Sequence, residues 1–201
     1  MVTDQNERLS KMVKTLLDMS ELQTVARDEK IEVDALVEEV LADLDPLAEE
    51  KNVILESVCD AVTMMGSDIL VYRVVYNLVE NAIKYNREKG RVMLDCFELS
   101  CTGDKVQICF VCADTGIGMS EEFQQRMFEP FTQENAGARS VYGGTGLGMS
   151  ITKSLVDKMG GTIGVESKQG VGTTYTITLP FAIDNTATEE PERQQTDLTV
   201  L

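Results

Sequence analysis

One predicted helix constrains this chain most, because polar side chains interrupt what is otherwise the pattern of a core helix. Apolar side chains recur there at helical spacing and predict a buried face, formed by Leu70, Val71, Val74, Val75, Leu78, Val79, Ala82 and Ile83. Asn77, Asn81 and Lys84 are spaced four and three residues apart, so they project from one stripe of the helix. Two amides and an ammonium group suit a magnesium ion and the phosphates it accompanies. An isolated pair of this kind would more often be a solvated helix face, so the assignment needs support from other segments.

The charge of the chain disfavours one common class of partner. Its 201 residues include 34 acidic and 18 basic side chains, which gives a net charge of −16. No cluster of Lys and Arg resembles the surface with which proteins contact a phosphate backbone, so we expect no nucleic acid partner. A nucleotide would have to be attracted by a local positive potential or by a metal ion, because the overall field repels anions.

The five cysteines predict neither a zinc site nor an oxidised framework. Cys109 and Cys112 fall in one predicted strand and would point to opposite faces of the sheet, so they could not share a metal ion. An odd number of buried-looking cysteines favours a reducing compartment. The sequence has no apolar run of membrane-spanning length and no signal peptide, and we therefore expect a cytoplasmic location.

The sequence pattern divides the chain into three parts. Residues 1–27 contain a predicted helix over 5–23, whose apolar stripe is typical of a helical bundle or coiled coil and is formed by Leu9, Met12, Val13, Leu16, Leu17 and Met19. Residues 28–183 are predicted to form one globular domain. Residues 184–201 are acidic with few large apolar groups, and we predict a disordered tail or linker there.

The central part combines helices with antiparallel hairpins. The predicted helices cover residues 34–50, 67–84 and 149–159. The predicted strands cover residues 52–59, 91–100, 105–113, 162–167 and 173–180. Asp34 is the expected N-cap of the first helix, Pro46 is expected to kink or end it, and Ser67 or Asp68 is expected to cap the second. The predicted fold class is α+β, a two-layer sandwich with a mixed, mostly antiparallel sheet.

The sequence Asp-Thr-Gly-Ile-Gly follows directly after the predicted strand 105–113, with the carboxylate at Asp114. A carboxylate at a strand end can accept a hydrogen bond from an exocyclic amine such as that of adenine. Gly116 and Gly118 would let the backbone pass close to a flat ring. The same five residues could also form only a tight turn.

A glycine-rich stretch, Gly-Gly-Thr-Gly-Leu-Gly over residues 143–148, precedes the predicted helix 149–159. Free N–H groups and the positive end of a helix dipole at such a place attract phosphates. No Gly-Lys-Ser/Thr follows as in a Walker A loop, and Met149 stands where a dinucleotide-binding loop has its last glycine. The alternative interpretation is a flexible hinge.

Between the two glycine-rich stretches lies a segment without clear periodicity. Phe128 and Phe131 begin it and could anchor a mobile lid that closes over a ligand, or could simply be core residues beside a long loop. Further along, Gly170 and Gly172 fit a hairpin turn by turn chemistry alone. Thr173, next to them, could form a hydrogen bond near the carboxylate of Asp114.

In this order, the segments resemble the catalytic and ATP-binding domain of bacterial sensor histidine kinases. That domain belongs to a superfamily shared with gyrase, heat-shock chaperones and mismatch-repair ATPases, and the resemblance covers residues 31–181. The matching segments are an N box at 77–85, glycine boxes at 114–118, 144–148 and 170–173, and an F box at 128–131. The resemblance implies a Bergerat-type ATP-binding fold with ATP and Mg²⁺ as cofactors.

The resemblance also implies roles for individual residues. Asn77 and Asn81 would hold Mg²⁺, Lys84 would approach the phosphates, and Arg139 in the lid would reach the terminal phosphate. The implied catalytic residues are thus Asn77, Lys84 and Arg139. The implied nucleotide-binding residues are Asn81, Tyr85, Asp114, Gly116, Gly118, Phe131, Gly144, Thr145, Gly146, Leu147, Gly148 and Thr173.

Asn77 also indicates which reaction the resemblance implies. Gyrase-like hydrolases have a glutamate at this position that activates water, and an asparagine cannot serve as that base. Phosphoryl transfer to a protein is therefore favoured over hydrolysis. The remaining alternatives are an ATP hydrolase of the gyrase or chaperone type and a non-catalytic dimerisation module.

The sequence contains no histidine, whereas the family carries its phosphoacceptor histidine on the first helix of a dimerisation bundle. The helix predicted over 5–23 resembles the second helix of that bundle. We therefore expect a histidine-bearing bundle and a response regulator receiver domain as partners, and a weak homodimer through the N-terminal helix. By the same resemblance, the chain could be the cytoplasmic part of a membrane-anchored sensor.

Overall fold

The computed structural model describes residues 29–103, 105–134 and 146–182, which form a sheet covered by helices. The strands are β1 (Glu29–Glu32), β2 (Ile54–Cys59), β3 (Thr63–Gly66), β4 (Arg91–Thr102), β5 (Lys105–Asp114), β6 (Thr162–Lys168) and β7 (Gly172–Ala182). The helices are α1 (Val33–Lys51), α2 (Asp68–Lys84), α3 (Glu121–Gln124) and α4 (Gly148–Lys158). Among the described helices, none combines the length and the apolar character that crossing a membrane requires.

The strands form one seven-stranded sheet in the order β1-β3-β7-β5-β4-β2, with β6 also paired to β7. All neighbours are antiparallel except β2 and β4, which run parallel. Both predicted hairpins, β4–β5 and β6–β7, are present, and a bulge interrupts the first between Glu98 and Ser100. The predicted mixed, mostly antiparallel sheet is confirmed.

Helices α1, α2 and α4 bury their apolar faces against one side of this sheet and share one core with it. The residues of β5 that join the core alternate along the strand and are Val106, Ile108, Phe110 and Cys112. All eight residues predicted for the apolar face of α2 are buried. Burying each of the seven Val, Leu and Ile side chains among them contributes about 1.5–3 kcal/mol, so this face fixes the orientation of the polar stripe beside it.

Helix α1 differs from its prediction at both ends. It begins after Glu32 rather than at an Asp34 cap, and it continues through Pro46 to Lys51. The early stop expected at Pro46 is wrong, whereas a kink there stays a prediction. A proline removes one backbone hydrogen bond, and here both Pro46 and Ala42, whose carbonyl loses its partner, are exposed to water. Buried residues on either side, Leu44 and Ala48, hold the helix onto the core across this defect.

The sequence pattern predicts no strand at β1, because residues 25–30 have the polarity of a linker, and it predicts none at β3 either. The strands pair with each other, and only Ile31 of β1 is buried. Ser67 occupies the N-cap of α2 as predicted, although its hydroxyl makes no capping hydrogen bond. The N-terminal helix and the C-terminal tail lie outside the described residues, so the division at residues 27 and 184 stays a prediction.

Candidate functional site

The polar stripe of α2 faces α4. The amide nitrogen of Asn77 donates a hydrogen bond to Thr152 Oγ1 at 3.3 Å, and that of Asn81 donates to Met149 Sδ at 3.1 Å. Thr152 is fully buried, and its hydroxyl donates in turn to the carbonyl of Gly148 at 3.0 Å. The asparagines therefore lie at a contact between two helices, which a simple solvated face would not provide.

The orientation of the two amides leaves their oxygens available. Both nitrogens are used as donors toward α4, and neither oxygen has a hydrogen-bond partner among the residues that the structure describes. Magnesium binds oxygen ligands, takes few from the protein and keeps several waters. The donor set of Asn77 and Asn81 thus fits this ion. Elsewhere within the described ranges, no group of three or more His, Cys, Asp or Glu side chains could hold a metal.

Lys84, the last residue of α2, forms an ion pair with Glu80 one turn earlier. Its Nζ lies 2.7 Å from Glu80 Oε1, and both side chains are partly buried. The ammonium group is thus kept at the same end of the helix as Asn81. The pair also occupies the carboxylate of Glu80, the acidic residue of the stripe that could otherwise act as a base.

Asp114 ends β5, and two backbone N–H groups, one in the following loop and one on β7, orient its carboxylate. Its Oδ1 accepts hydrogen bonds from Gly116 N at 2.7 Å and from Thr173 N at 3.3 Å. Thr173 is the register partner of Asp114 on β7. The other oxygen, Oδ2, has no partner in the described part of the chain, so it can accept a hydrogen bond from an amine.

Burial raises the pKa of Asp114 to about 6, from an ordinary value of 3.8. The N–H groups of Gly116 and Thr173 and the charge of Arg87 oppose this effect and lower the pKa. The carboxylate is therefore ionised near neutral pH at an energetic cost. A side chain whose pKa is shifted by burial is typical of a functional site.

Two glycines of the loop after Asp114 allow a close backbone approach. A side chain at Gly116 would place Cβ 2.4 Å from the carbonyl oxygen of Tyr85. Gly118 has φ of 63°, and a Cβ there would lie 2.0 Å from the carbonyl oxygen of Lys168. The loop therefore lies directly against the end of α2 and against the β6–β7 hairpin, so both glycines are required by packing within the protein, and the predicted approach to a flat ring stays a prediction.

Tyr85 connects the end of α2, which follows the amides, to the loop after Asp114. Its N–H donates to the carbonyl of Asn81, and its carbonyl accepts from Ile117 N, both at 3.0 Å. The loop after Asp114 therefore contacts the C-terminal end of α2, one turn beyond Asn81 and two turns beyond Asn77.

The described part of the second glycine box lies beside Asn81. Gly148 opens α4, and a Cβ there would be 3.7 Å from Asn81 Nδ2, so the N-terminus of the helix is next to the amide pair. Leu147 is buried and caps the helix by position. Gly146 has φ of 71° and accepts a hydrogen bond from Phe131 N at 2.9 Å.

Phe128 and Phe131 differ from each other. Phe128 packs against the core, whereas Phe131 is 52% exposed and its φ is 64°. Phe131 is therefore held by its backbone bond to Gly146 rather than by burial of its ring. Three predicted site residues, Arg139, Gly144 and Thr145, lie outside the described residues.

Sequence reasoning missed two residues directly after the N box, Asn86 and Arg87. Asn86 is buried, donates to the carbonyl of Arg91 at 2.9 Å, and accepts from Arg87 N at 3.0 Å. The guanidinium group of Arg87 donates to the carbonyls of Thr115 and Val171. No periodicity distinguishes these residues in the sequence. Their only local signal is a polar pair that follows directly after the predicted helix.

Comparison with known proteins identifies the family of this chain. The family described as histidine kinase-, DNA gyrase B- and HSP90-like ATPase matches residues 66–183, more than half of the chain. The chain belongs to this family. This match confirms the resemblance stated from the sequence and gives the site an ATP-binding domain as its setting.

Two curated relatives of the chain are named as sensors. It is 33% identical over 175 residues to the heme sensor protein HssS of Staphylococcus saprophyticus, covering 86% of the chain and 36% of the relative. It is 37% identical to the sensor histidine kinase AruS of Pseudomonas aeruginosa over 74% of the chain and 15% of AruS. The chain spans only 5% to 36% of the curated relatives compared.

Solved structures agree with this assignment. Full-length ShkA in complex with AMPPNP superimposes with a TM-score of 0.72 and 27% identity, covering 88% of this chain and 36% of ShkA. The catalytic domain of the histidine kinase ThkA gives a TM-score of 0.62 at 22% identity, over 78% of this chain and 97% of ThkA, which supports the fold. The predicted fold class is confirmed, and the named relatives favour the histidine kinase branch over the hydrolase alternative.

Proposed function

We propose that this chain is the ATP-binding kinase domain of a two-component sensor, which transfers the γ-phosphoryl group of ATP to a histidine that the chain itself lacks. The main support is that the loop after Asp114 contacts the C-terminal end of α2, within two turns of the Asn77 and Asn81 amides. The carboxylate recognises the purine, and the amides hold the metal and phosphates.

Adenine is bound at the end of β5. Asp114 Oδ2 accepts a hydrogen bond from the exocyclic amine, while the N–H groups of Gly116 and Thr173 fix the orientation of the carboxylate. A buried carboxylate without an amine partner is costly, so a ligand that supplies one is favoured over a ligand that lacks it. Tyr85 lines the same pocket, and Gly118 keeps the loop close to the ring.

The triphosphate lies toward α4. The amide oxygens of Asn77 and Asn81 would hold Mg²⁺, which would supply positive charge to neutralise the phosphates. The N-terminus of α4, with Gly146 and Gly148, adds N–H groups and positive dipole potential. Lys84 moves from Glu80 toward the phosphates, and Arg139 in the lid reaches the terminal one. These local charges overcome the net charge of −16.

The reaction is transfer rather than hydrolysis. An amide at position 77 cannot remove a proton from water, because it has no basic group at neutral pH. The attacking group must therefore arrive with its partner protein, as the imidazole of a histidine-bearing bundle. A response regulator receiver domain accepts the phosphoryl group in turn, and the segment 5–23 contributes to a weak homodimer.

The decisive experiment is calorimetry of ADP and ATP binding with and without Mg²⁺. We expect magnesium-dependent binding that Asp114→Ala weakens strongly. Asp157→Ala is the matched control, because Asp157 lies on the exposed side of α4 and pairs with Lys153. Tight binding unchanged by Asp114→Ala would contradict the adenine site.

Transfer itself is tested by mixing the chain with ATP and a histidine-bearing bundle from a sensor kinase. Acid-labile phosphate on the bundle is the expected product, because phosphohistidine hydrolyses in acid. If ATP binds as described and no bundle acquires phosphate, the domain binds nucleotide without acting as a kinase.

A further inference from the structure

Arg87 connects the loop after β5 to the turn of the β6–β7 hairpin, next to the two N–H groups that orient the carboxylate of Asp114. Its Nε donates to the carbonyl of Thr115, the residue after Asp114. Its Nη2 donates to the carbonyl of Val171 at 3.1 Å, two residues before Thr173 in the β6–β7 hairpin. The loop after β5 supplies Gly116 N, and β7, which begins directly after Val171, supplies Thr173 N; these are the two N–H groups that bind Asp114 Oδ1. One side chain thus fixes the spacing between both donors.

Asn86 fixes the backbone of Arg87 by hydrogen bonds. Its Oδ1 accepts from Arg87 N at 3.0 Å and from Thr115 Oγ1 at 3.3 Å, and its side chain is buried. The hydroxyl of Thr115 also accepts from Arg91 N at 2.9 Å. Each of these groups connects the segment after α2 to the loop after β5, so the backbone that carries Arg87 is fixed before the guanidinium group makes its bonds.

We propose that Arg87 is a positioning residue for the adenine pocket, and that it determines affinity for the base by holding the Thr115 and Val171 backbones at a fixed separation. This inference rests on the proposed function, since Asp114 contacts adenine only under that proposal. A guanidinium group is suited to the task because its planar donors can reach two carbonyls at once, whereas an ammonium group acts as a point donor.

The geometry separates this role from simple attraction of phosphates. The guanidinium group is bound to backbone carbonyls at the carboxylate end of the site, whereas the amide pair and the N-terminus of α4 lie at the other end. If Arg87 positions the adenine pocket, its loss therefore lowers the affinities of adenosine and of Mg-ADP by the same factor. Attraction of phosphates would affect only charged ligands, and would weaken with salt.

The test measures the affinity of adenosine and of Mg-ADP for the full chain and for Arg87→Met. We expect Arg87→Met to weaken both ligands by the same factor, about threefold to tenfold, because an exposed charge-assisted hydrogen bond is worth less than a buried one. Arg87→Lys should recover part of the loss, since it can donate to one of the two carbonyls. Arg91→Met is the control: the Arg91 side chain pairs with Glu56 on the sheet edge.

The outcomes separate the two proposals. If wild type binds both ligands, Asp114→Ala does not, and Arg87→Met binds like wild type, then the role of Arg87 is wrong and the adenine site stands. A loss confined to Mg-ADP would overturn the positioning role in favour of phosphate attraction. If Asp114→Ala binds as tightly as wild type, the proposed function itself fails. Urea unfolding of each variant verifies that the protein measured is folded.

Discussion

The buried carboxylate of Asp114, when ionised, should lower the free energy of unfolding, and Asp114→Asn should raise it. The pKa of Asp114 rises from 3.8 to about 6, so ionising it in the folded protein is less favourable by about 3 kcal/mol, at about 1.4 kcal/mol per pH unit. Because the group is partly exposed, screening reduces this to about 2–3 kcal/mol. An asparagine keeps an oxygen for the N–H groups of Gly116 and Thr173 and carries no charge.

The sign of the pH dependence follows from the direction of the shift. The folded state binds the Asp114 proton more tightly than the unfolded state, so the penalty is absent below about pH 3.8 and complete above about pH 6. The free energy of unfolding of Asp114→Asn should exceed that of wild type by about 2–3 kcal/mol at pH 8. At pH 5 the difference should fall to about half of that value.

Urea unfolding followed by circular dichroism, at pH 5 and pH 8 on both proteins, measures this difference. Nucleotide affinity should change in the opposite direction, by at least about tenfold, because the amide presents a donor where adenine also presents one. Equal stability of the two proteins at pH 8, or a difference independent of pH, would refute the reasoning about burial. A stabilised variant that still binds ADP tightly would refute the role of the carboxylate.

Three further outcomes follow from the contacts of α2. Asn81→Ala should remove most of the magnesium-dependent part of ADP affinity in calorimetry while leaving adenosine binding within about twofold; an unchanged response to Mg²⁺ would count against the amide pair. Glu80→Ala should leave the phosphate released by the isolated chain from ATP at its low wild-type rate, and a rapid wild-type rate abolished by this change would revive the hydrolase alternative. Leu78→Ala should lower the free energy of unfolding by about 2–5 kcal/mol in urea, because Leu78 is fully buried; a loss below about 1 kcal/mol would show that the core near α2 repacks.

The amino-acid sequence by itself determined those features that depend on neighbours along the chain. The buried face of α2 follows from helical periodicity, and both hairpins follow from alternating strands around turn residues. The order of the boxes was enough to identify the family that the comparison then matched over residues 66–183. These features are local, so a single stretch of sequence contains the information needed to predict them.

Only the tertiary structure decided the features that depend on distant partners. Helix α1 survives Pro46 because the core holds residues on both sides of it, and β1 is a strand because β3 lies beside it. The bonds of Arg87 reach Thr115 and Val171, which lie 28 and 84 residues away in the sequence. Such contacts arise from the packing of separate elements, and the pattern of any one segment carries no record of which partner it will meet.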